Sequence, residues 1–143
     1  MSAINLTKGG FLRRVMDYEK NPISDWRFLG NKPAIIDFYA SWCGPCRAAN
    51  PHLRELYKKY KSEGLEIVGV SFDVKREAWT KAIKDDQIEW IQMSDLKGWN
   101  SIASDLYDVH GIPCIYILDE ENRIIGARVW GEEVDEILTK VFR

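Results

Sequence analysis

The sequence predicts an α/β fold, a mixed sheet flanked by helices, built as βαβαβ followed by a hairpin and a closing helix. Three observations carry that expectation. Strand-like apolar runs alternate with segments of helical period, and the first of these runs, Ala34 to Ala40, is apolar almost throughout, as strands covered on both faces are. No repeat, low-complexity tract or composition break divides the 143 residues, so a single domain over 1–143 is expected. Right-handed crossovers would join the parallel strands.

The elements follow in order. Thr7 is placed to cap a first helix carrying Phe11, Leu12, Val15 and Met16 on one face and ended by Asn21–Pro22. Trp26, Phe28 and Leu29 fall in the connection to the strand at Ala34. Pro45 opens the next helix, where a first-turn proline costs little because that N–H has no helical partner. Leu53, Leu56, Tyr57 and Tyr60 recur at helical spacing, so this helix runs to about Glu63 and stops at Gly64, with Pro51 kinking it. Leu65 to Phe72 reads as a second strand, Lys75 to Lys84 as a helix with Trp79 and Ile83 inward, and Ile88 to Met93 as a short strand. Ser101 to Val109 reads as a helix with Ile102, Leu106 and Val109 inward. Beyond Gly111–Ile112–Pro113, strands Cys114 to Leu118 and Arg123 to Val129 flank a turn over Asp119–Asn122. The closing helix follows Gly131 and buries Val134, Ile137, Leu138 and Val141. Trp79, Trp90 and Trp99 are expected in the core.

Composition narrows the partners. A formal net charge of −2 leaves no basic footprint for nucleic acid or an anionic membrane. No apolar run approaches the roughly 20 residues of a membrane span. Residues Met1 to Gly10 lack the basic-then-apolar pattern of a secretory leader.

The three cysteines cannot all pair within one chain, and so few in a domain of this size point to redox or metal chemistry rather than a disulfide scaffold. Cys43 falls just before a helix and Cys46 in its first turn. Unsatisfied N–H groups and the positive dipole end there favour a thiolate at Cys43, and the two-residue spacer keeps Cys46 within reach to resolve a mixed disulfide. Zinc would want a second Cys or His pair at motif spacing, and Cys114, His52 and His110 form none. An inert structural thiol pair is the other alternative. No metal or cofactor is expected beyond the Cys43–Cys46 dithiol.

Ala40–Ser41–Trp42–Cys43–Gly44–Pro45–Cys46–Arg47 resembles the active-site segment of thioredoxins, and Asp37, Pro51, Gly111–Ile112–Pro113 and Gly131 match that family in register. The stretch from Val70 to Pro113 has room for an extra helix and strand, which is similar to the bacterial TlpA/ResA-type reductases. The resemblance implies a thioredoxin fold with an inserted helix and strand before a cis-proline at Pro113. It implies a thiol–disulfide oxidoreductase, most simply a protein-disulfide reductase, because Gly-Pro is the spacer of reductases in the family. Catalytic roles fall on Cys43, Cys46, Asp37 and Pro113, and a substrate groove would be rimmed by Trp42, Gly44, Pro45, Ile112, Trp130 and Gly131. Two positions depart from the TlpA/ResA pattern: Ala49 stands where those proteins usually carry glutamate, and Asp37 where they usually have no aspartate. The N-terminal part therefore resembles thioredoxin proper.

The implied partners are disulfide-bearing protein substrates and an upstream thiol reductant, met as a monomer. The implied location is bacterial and extracytoplasmic (periplasmic) as a mature form, with the cytoplasm as alternative. Two rival functions share the fold. A thiol peroxidase would need a peroxide-reactive cysteine in a proline- and threonine-bearing loop, which is absent. A redox-inert peptide-binding module would usually have lost one cysteine.

Other residues have plainer readings beside sharper ones. Asp37, set among Ile35, Ile36, Phe38 and Tyr39, should lose hydration and hold its proton at raised pH, which suits a proton shuttle to Cys46; the alternative is a strand-end carboxylate bonded to backbone. Cys114 reads as a small apolar strand residue, or as a redox-tuning thiol. His110 reads as a solvated loop histidine or a groove-edge charge, and His52 as surface. Arg47 flanks the dithiol and could help hold a thiolate, although an exposed cation contributes little.

Overall fold

The computed structural model describes residues 3–5 and 30–143. The expected first helix around Phe11 to Met16 and the connection through Trp26, Phe28 and Leu29 lie outside the described residues.

Among the described residues six strands form one sheet: β1 (Ala3–Asn5), β2 (Ala34–Tyr39), β3 (Glu66–Ser71), β4 (Ile91–Ser94), β5 (Cys114–Leu118) and β6 (Ile124–Val129). Their order is β1-β4-β3-β2-β5-β6. β1, β4, β3 and β2 run parallel, while β5 runs antiparallel to β2 and β6 to β5. The antiparallel pair needs only a tight turn, supplied by Asp119, whose carboxylate accepts from the backbone N–H of Glu121 and of Arg123. The mixed sheet and the inserted strand β4 agree with the sequence expectation. β1 was not anticipated, because three edge residues are too few for periodicity to register.

The long helix predicted from Pro45 is two helices, α1 (Gly44–Ala48) and α2 (Asn50–Tyr60), with the break at Ala49. Pro51 causes it: proline has no N–H to continue the ladder and its ring would meet the carbonyl four residues back. A 3-10 turn, Lys61–Glu63, then runs into Gly64, whose φ of 108° reverses the chain. α3 (Arg76–Asp85) and α5 (Glu132–Val141) fall where predicted.

Three expectations need correction. The strand expected from Ile88 begins at Ile91; Ile88 and Trp90 are buried from a loop, after Gln87 takes φ 54°. Apolarity there reports burial, not ladder pairing. The helix expected over 101–109 is only α4 (Ile102–Leu106), capped by the Ser101 hydroxyl accepting from Ala103 N–H and ended before Asp108 turns to φ 53°. Trp99, expected in the core, is 44% exposed, with one face stacked on Phe72 at 5.0 Å between ring centres. Trp79 and Trp90 are core as expected.

The sheet's two faces are chemically different. On one face Phe38 packs against Phe72, Tyr107 and Tyr116 in an aromatic cluster. On the other, Asp37, Gly69, Gln92 and Ile115 lie in one cross-strand row. Gly69 is glycine for a packing reason, since a Cβ there would meet the Gln92 side-chain amide, with its Cδ at 2.8 Å. Tyr60 stacks on Phe142 at 4.7 Å, fastening the C-terminal end to α2.

Candidate active site

β2 ends at Tyr39 and the chain turns at once into α1, so Cys43 becomes the residue capping that helix. Its N–H donates to the Ala40 carbonyl at 3.1 Å, and its Sγ accepts from the Cys46 N–H at 3.2 Å. Cys43 and Cys46 form a disulfide with their Cα atoms 5.3 Å apart. Cys46 is the more buried of the two, at 2% against 6% exposure. The Cys46 N–H that caps Cys43 Sγ in the oxidised form would also hold it as an anion once reduced, which lowers the energy of the thiolate as nucleophile and as leaving group.

The turn that carries Trp42 and Cys43 is held from below by Asp73, just beyond the end of β3. This carboxylate is buried. It accepts from the Ser41 N–H at 3.0 Å, from the Ser41 hydroxyl, and from the Ser71 hydroxyl at 2.5 Å. Asp73→Ala would strand those donors without partners, at a cost of about 2–3 kcal/mol, and would loosen the turn before Cys43. Urea denaturation alongside a reductase assay should show both losses, and full activity in the variant would rule out the bracing role.

Arg47 is engaged in an ion pair with the inserted segment. Its guanidinium makes a two-point contact with Asp86, Nε to Oδ2 and Nη2 to Oδ1 at 2.8 Å each, and Asn50 Nδ2 adds a third bond at 2.8 Å. The Arg47 hydrogen bond is the main reason Asp86 sits below the usual carboxylate range. Arg47 thus ties α1 to the end of α3 in the inserted segment.

Asp37 lies in the centre of the sheet, 4% exposed, and burial raises its pKa from 3.8 to about 7. This is the environment the flanking apolar residues predicted. The Ile112–Pro113 peptide bond is cis, as the resemblance implied.

Pro113 and Trp130 line a cavity of about 430 Å³ together with Cys114, and its rim carries Asp108, His110 and Arg128. Ile112 is half-buried beside it, while Gly44 and Pro45 are exposed at the start of α1. Gly131, at φ 58°, caps α5 and lines a neighbouring cavity with Trp130, Ala49 and His52. Trp42, 57% exposed, leans instead toward the inserted segment, 6.3 Å from Trp99. Cys114 is a free, buried thiol whose pKa is pushed up by burial, which fits the apolar-strand reading. His110 is exposed and bonded to Asp108 at 2.5 Å; His52 pairs with Asp135 at 2.7 Å. Among the described residues no group of three His, Cys, Asp or Glu side chains is placed to hold a metal ion.

Sequence reasoning passed over Asp73, Asp86 and Gln92. Asp73 alone left a local trace, a charged residue closing an apolar run.

Comparison with known proteins agrees with this geometry. A family model described as thioredoxin-like matches residues 30–124. The chain is 48% identical over 60 residues to a thioredoxin of Borreliella burgdorferi, a match covering 42% of this chain and 50% of that protein. It is 30% identical over 129 residues to the thiol–disulfide oxidoreductase ResA of Bacillus thuringiensis, covering 90% of this chain and 72% of that protein. Among solved structures, a thiol–disulfide oxidoreductase from Bacteroides fragilis superposes with a TM-score of 0.72 at 33% identity, covering 77% of this chain and 81% of that one.

Proposed function

Since the chain belongs to the thioredoxin-like family and is a thiol–disulfide oxidoreductase of the TlpA/ResA-like type, we propose that it runs as a protein-disulfide reductase. What supports the direction is the Gly44–Pro45 spacer, which resembles that of the family's reductases, while the Cys46 N–H on Cys43 Sγ supports Cys43 as the attacking sulfur. In the reducing sense, the Cys43 thiolate attacks one sulfur of a substrate disulfide and releases the other as a thiolate. Cys46 then gives up its proton, for which Asp37 is the acceptor in this reading, and attacks Cys43 Sγ. The second substrate thiolate leaves, and the Cys43–Cys46 disulfide is restored. Two electrons pass from the dithiol to the substrate, and an upstream thiol reductant returns them.

The cis-Pro113 backbone with Ile112, and the surfaces of Trp42, Gly44, Pro45, Trp130 and Gly131, would receive an extended substrate segment. The chain would act as a monomeric single domain over 1–143 with no cofactor beyond the dithiol. Its likeness to the TlpA/ResA type supports an extracytoplasmic bacterial setting. Among the described residues no helix is long and apolar enough to cross a membrane.

The test is the equilibrium potential of Cys43–Cys46 against glutathione, with insulin reduction by dithiothreitol as the activity readout. A potential near the thioredoxin value of about −270 mV is expected; one near −120 mV, the strong-oxidant end, would overturn the reductase direction.

A further inference from the structure

The hydrogen bonding around Tyr39 decides which way a buried amide faces, and so what it can serve. Trp79 Nε1, which can only donate, gives its proton to the Tyr39 hydroxyl at 2.9 Å. Tyr39 must then direct its own proton elsewhere, and it donates to Gln92 Oε1. That pins the carbonyl end of the amide toward Tyr39 and leaves Nε2 as the free end. Gln92 is fully buried, and Nε2 has no hydrogen-bond partner among the described residues. A buried amide N–H without an acceptor costs about 1–3 kcal/mol, so its placement calls for a reason.

The reason lies one strand away. Gln92, Gly69 and Asp37 occupy one cross-strand row, and the missing side chain of Gly69 lets the Gln92 amide lie across β3 toward β2. The amide over Gly69 is one strand spacing, about 4.8 Å, from the Asp37 column. Asp37 in turn is a buried carboxyl whose pKa burial raises, and no hydrogen bond or cation among the described residues brings it back down. A buried donor without an acceptor among the described residues thus shares a cross-strand row with a carboxyl whose anion burial disfavours.

We propose that Gln92 is a positioning residue for the proton relay, its Nε2 donating to the Asp37 carboxylate whenever that group is ionised, with Tyr39 and Trp79 fixing the orientation of the amide. The inference rests on the reading that Asp37 takes the Cys46 proton, and it adds what makes the ionised state accessible in so apolar a place. Of the other titratable or charged groups, Tyr39 on its own strand and Cys114 on β5 feel the Asp37 charge, Asp73 beyond β3 and Asp86 act on Tyr39, and the Cys43–Cys46 pair lies where β2 leads into α1. The Arg47–Asp86 pair spans α1 and α3, and His52 of α2 pairs with Asp135 of α5. None of these is a donor hydrogen-bonded to Asp37.

The first test uses the unmodified reduced protein. The Gln92 side-chain amide resonances should move with pH at the same midpoint as the Asp37 carboxyl carbon, and a Gln92 amide that ignores the titration overturns the proposal. The second test is Gln92→Leu. The pH midpoint of the disulfide-reduction rate should move up by roughly one unit, because the ionised acid has lost its donor. A folded Gln92→Leu protein with an unmoved midpoint also overturns the proposal; if the variant fails to fold, the resonance titration decides alone. Asp37→Asn separates the relay from its support. A midpoint that survives Asp37→Asn removes the proton-relay reading itself, whereas a midpoint lost in Asp37→Asn yet indifferent to Gln92→Leu removes only the role of Gln92.

Discussion

Cys43→Ser should reduce disulfide reduction to the uncatalysed background, a loss on the order of 10³-fold or more, while Cys46→Ser should arrest the reaction halfway. The difference follows from burial and hydrogen bonding. Cys43 is the less buried of the two cysteines and its Sγ accepts the Cys46 N–H, so it is the sulfur expected to form the substrate bond as a stabilised thiolate. A serine hydroxyl in its place has neither the acidity nor the nucleophilicity for exchange. With Cys46→Ser, the first attack still occurs, but no second thiol is present to release the product. The enzyme–substrate mixed disulfide should then accumulate, and non-reducing electrophoresis or intact mass should detect it. If Cys46→Ser instead leaves Cys43 as a free thiol in the presence of oxidised substrate, Cys46 is the attacking residue and the order of the two cysteines is reversed. Cys114→Ser should leave the exchange largely intact, because that thiol is buried and its pKa is raised, the opposite of what a nucleophile needs.

The features that sequence reasoning reached are those whose cause is local. β2, β3 and β5 are apolar runs bounded by turn residues, and α2 carries its buried stripe within eleven residues. The dithiol is a four-residue pattern between a strand and a helix, so both its position and its chemistry could be read directly. Asp37 announced itself by being the one charge inside an apolar strand. What escaped depends on partners far along the chain. Asp73 meets Ser41 across 32 residues, and Tyr39 meets Gln92 across 53. No periodicity encodes such pairs, because they exist only once β3 and β4 have been laid beside β2. Trp99 shows the limit from the other side. Its hydrophobicity suggested a core residue, and one face does stack on Phe72, but hydrophobicity does not say that the opposite face of the ring stays open to solvent. The ends of α4 and β4 were misplaced for a related reason: buried loop residues such as Ile88, Trp90 and Val109 look the same in sequence as residues of a regular element.

Asp37→Asn should make the oxidised protein more stable above neutral pH and should not do so in acid. In the native protein Asp37 keeps its proton up to about pH 7, whereas in the unfolded chain it releases it near 3.8. Between those values the native state binds a proton that the unfolded state has lost. Raising the pH therefore favours unfolding, by about 1.4 kcal/mol per unit, until the native group also ionises near pH 7. The accumulated cost is about 4 kcal/mol and is fully present above that point, while below about pH 4 both states are protonated and it vanishes. Asparagine has no charge to bury, so the variant escapes the cost, less about 1–3 kcal/mol for an amide whose own hydrogen bonds are incompletely met. The net expectation is a gain of about 1–3 kcal/mol at about pH 8.5 and none at about pH 4, read by urea denaturation of the disulfide form so that the cysteines do not titrate. A variant that is no more stable than the parent at the higher pH would mean that the carboxylate is already compensated when ionised. The Gln92 amide is the group proposed to do that, so repeating the measurement in a Gln92→Leu background shows where the compensation comes from. Removing the donor should widen the stability difference that Asp37→Asn makes at high pH and leave it unchanged at low pH.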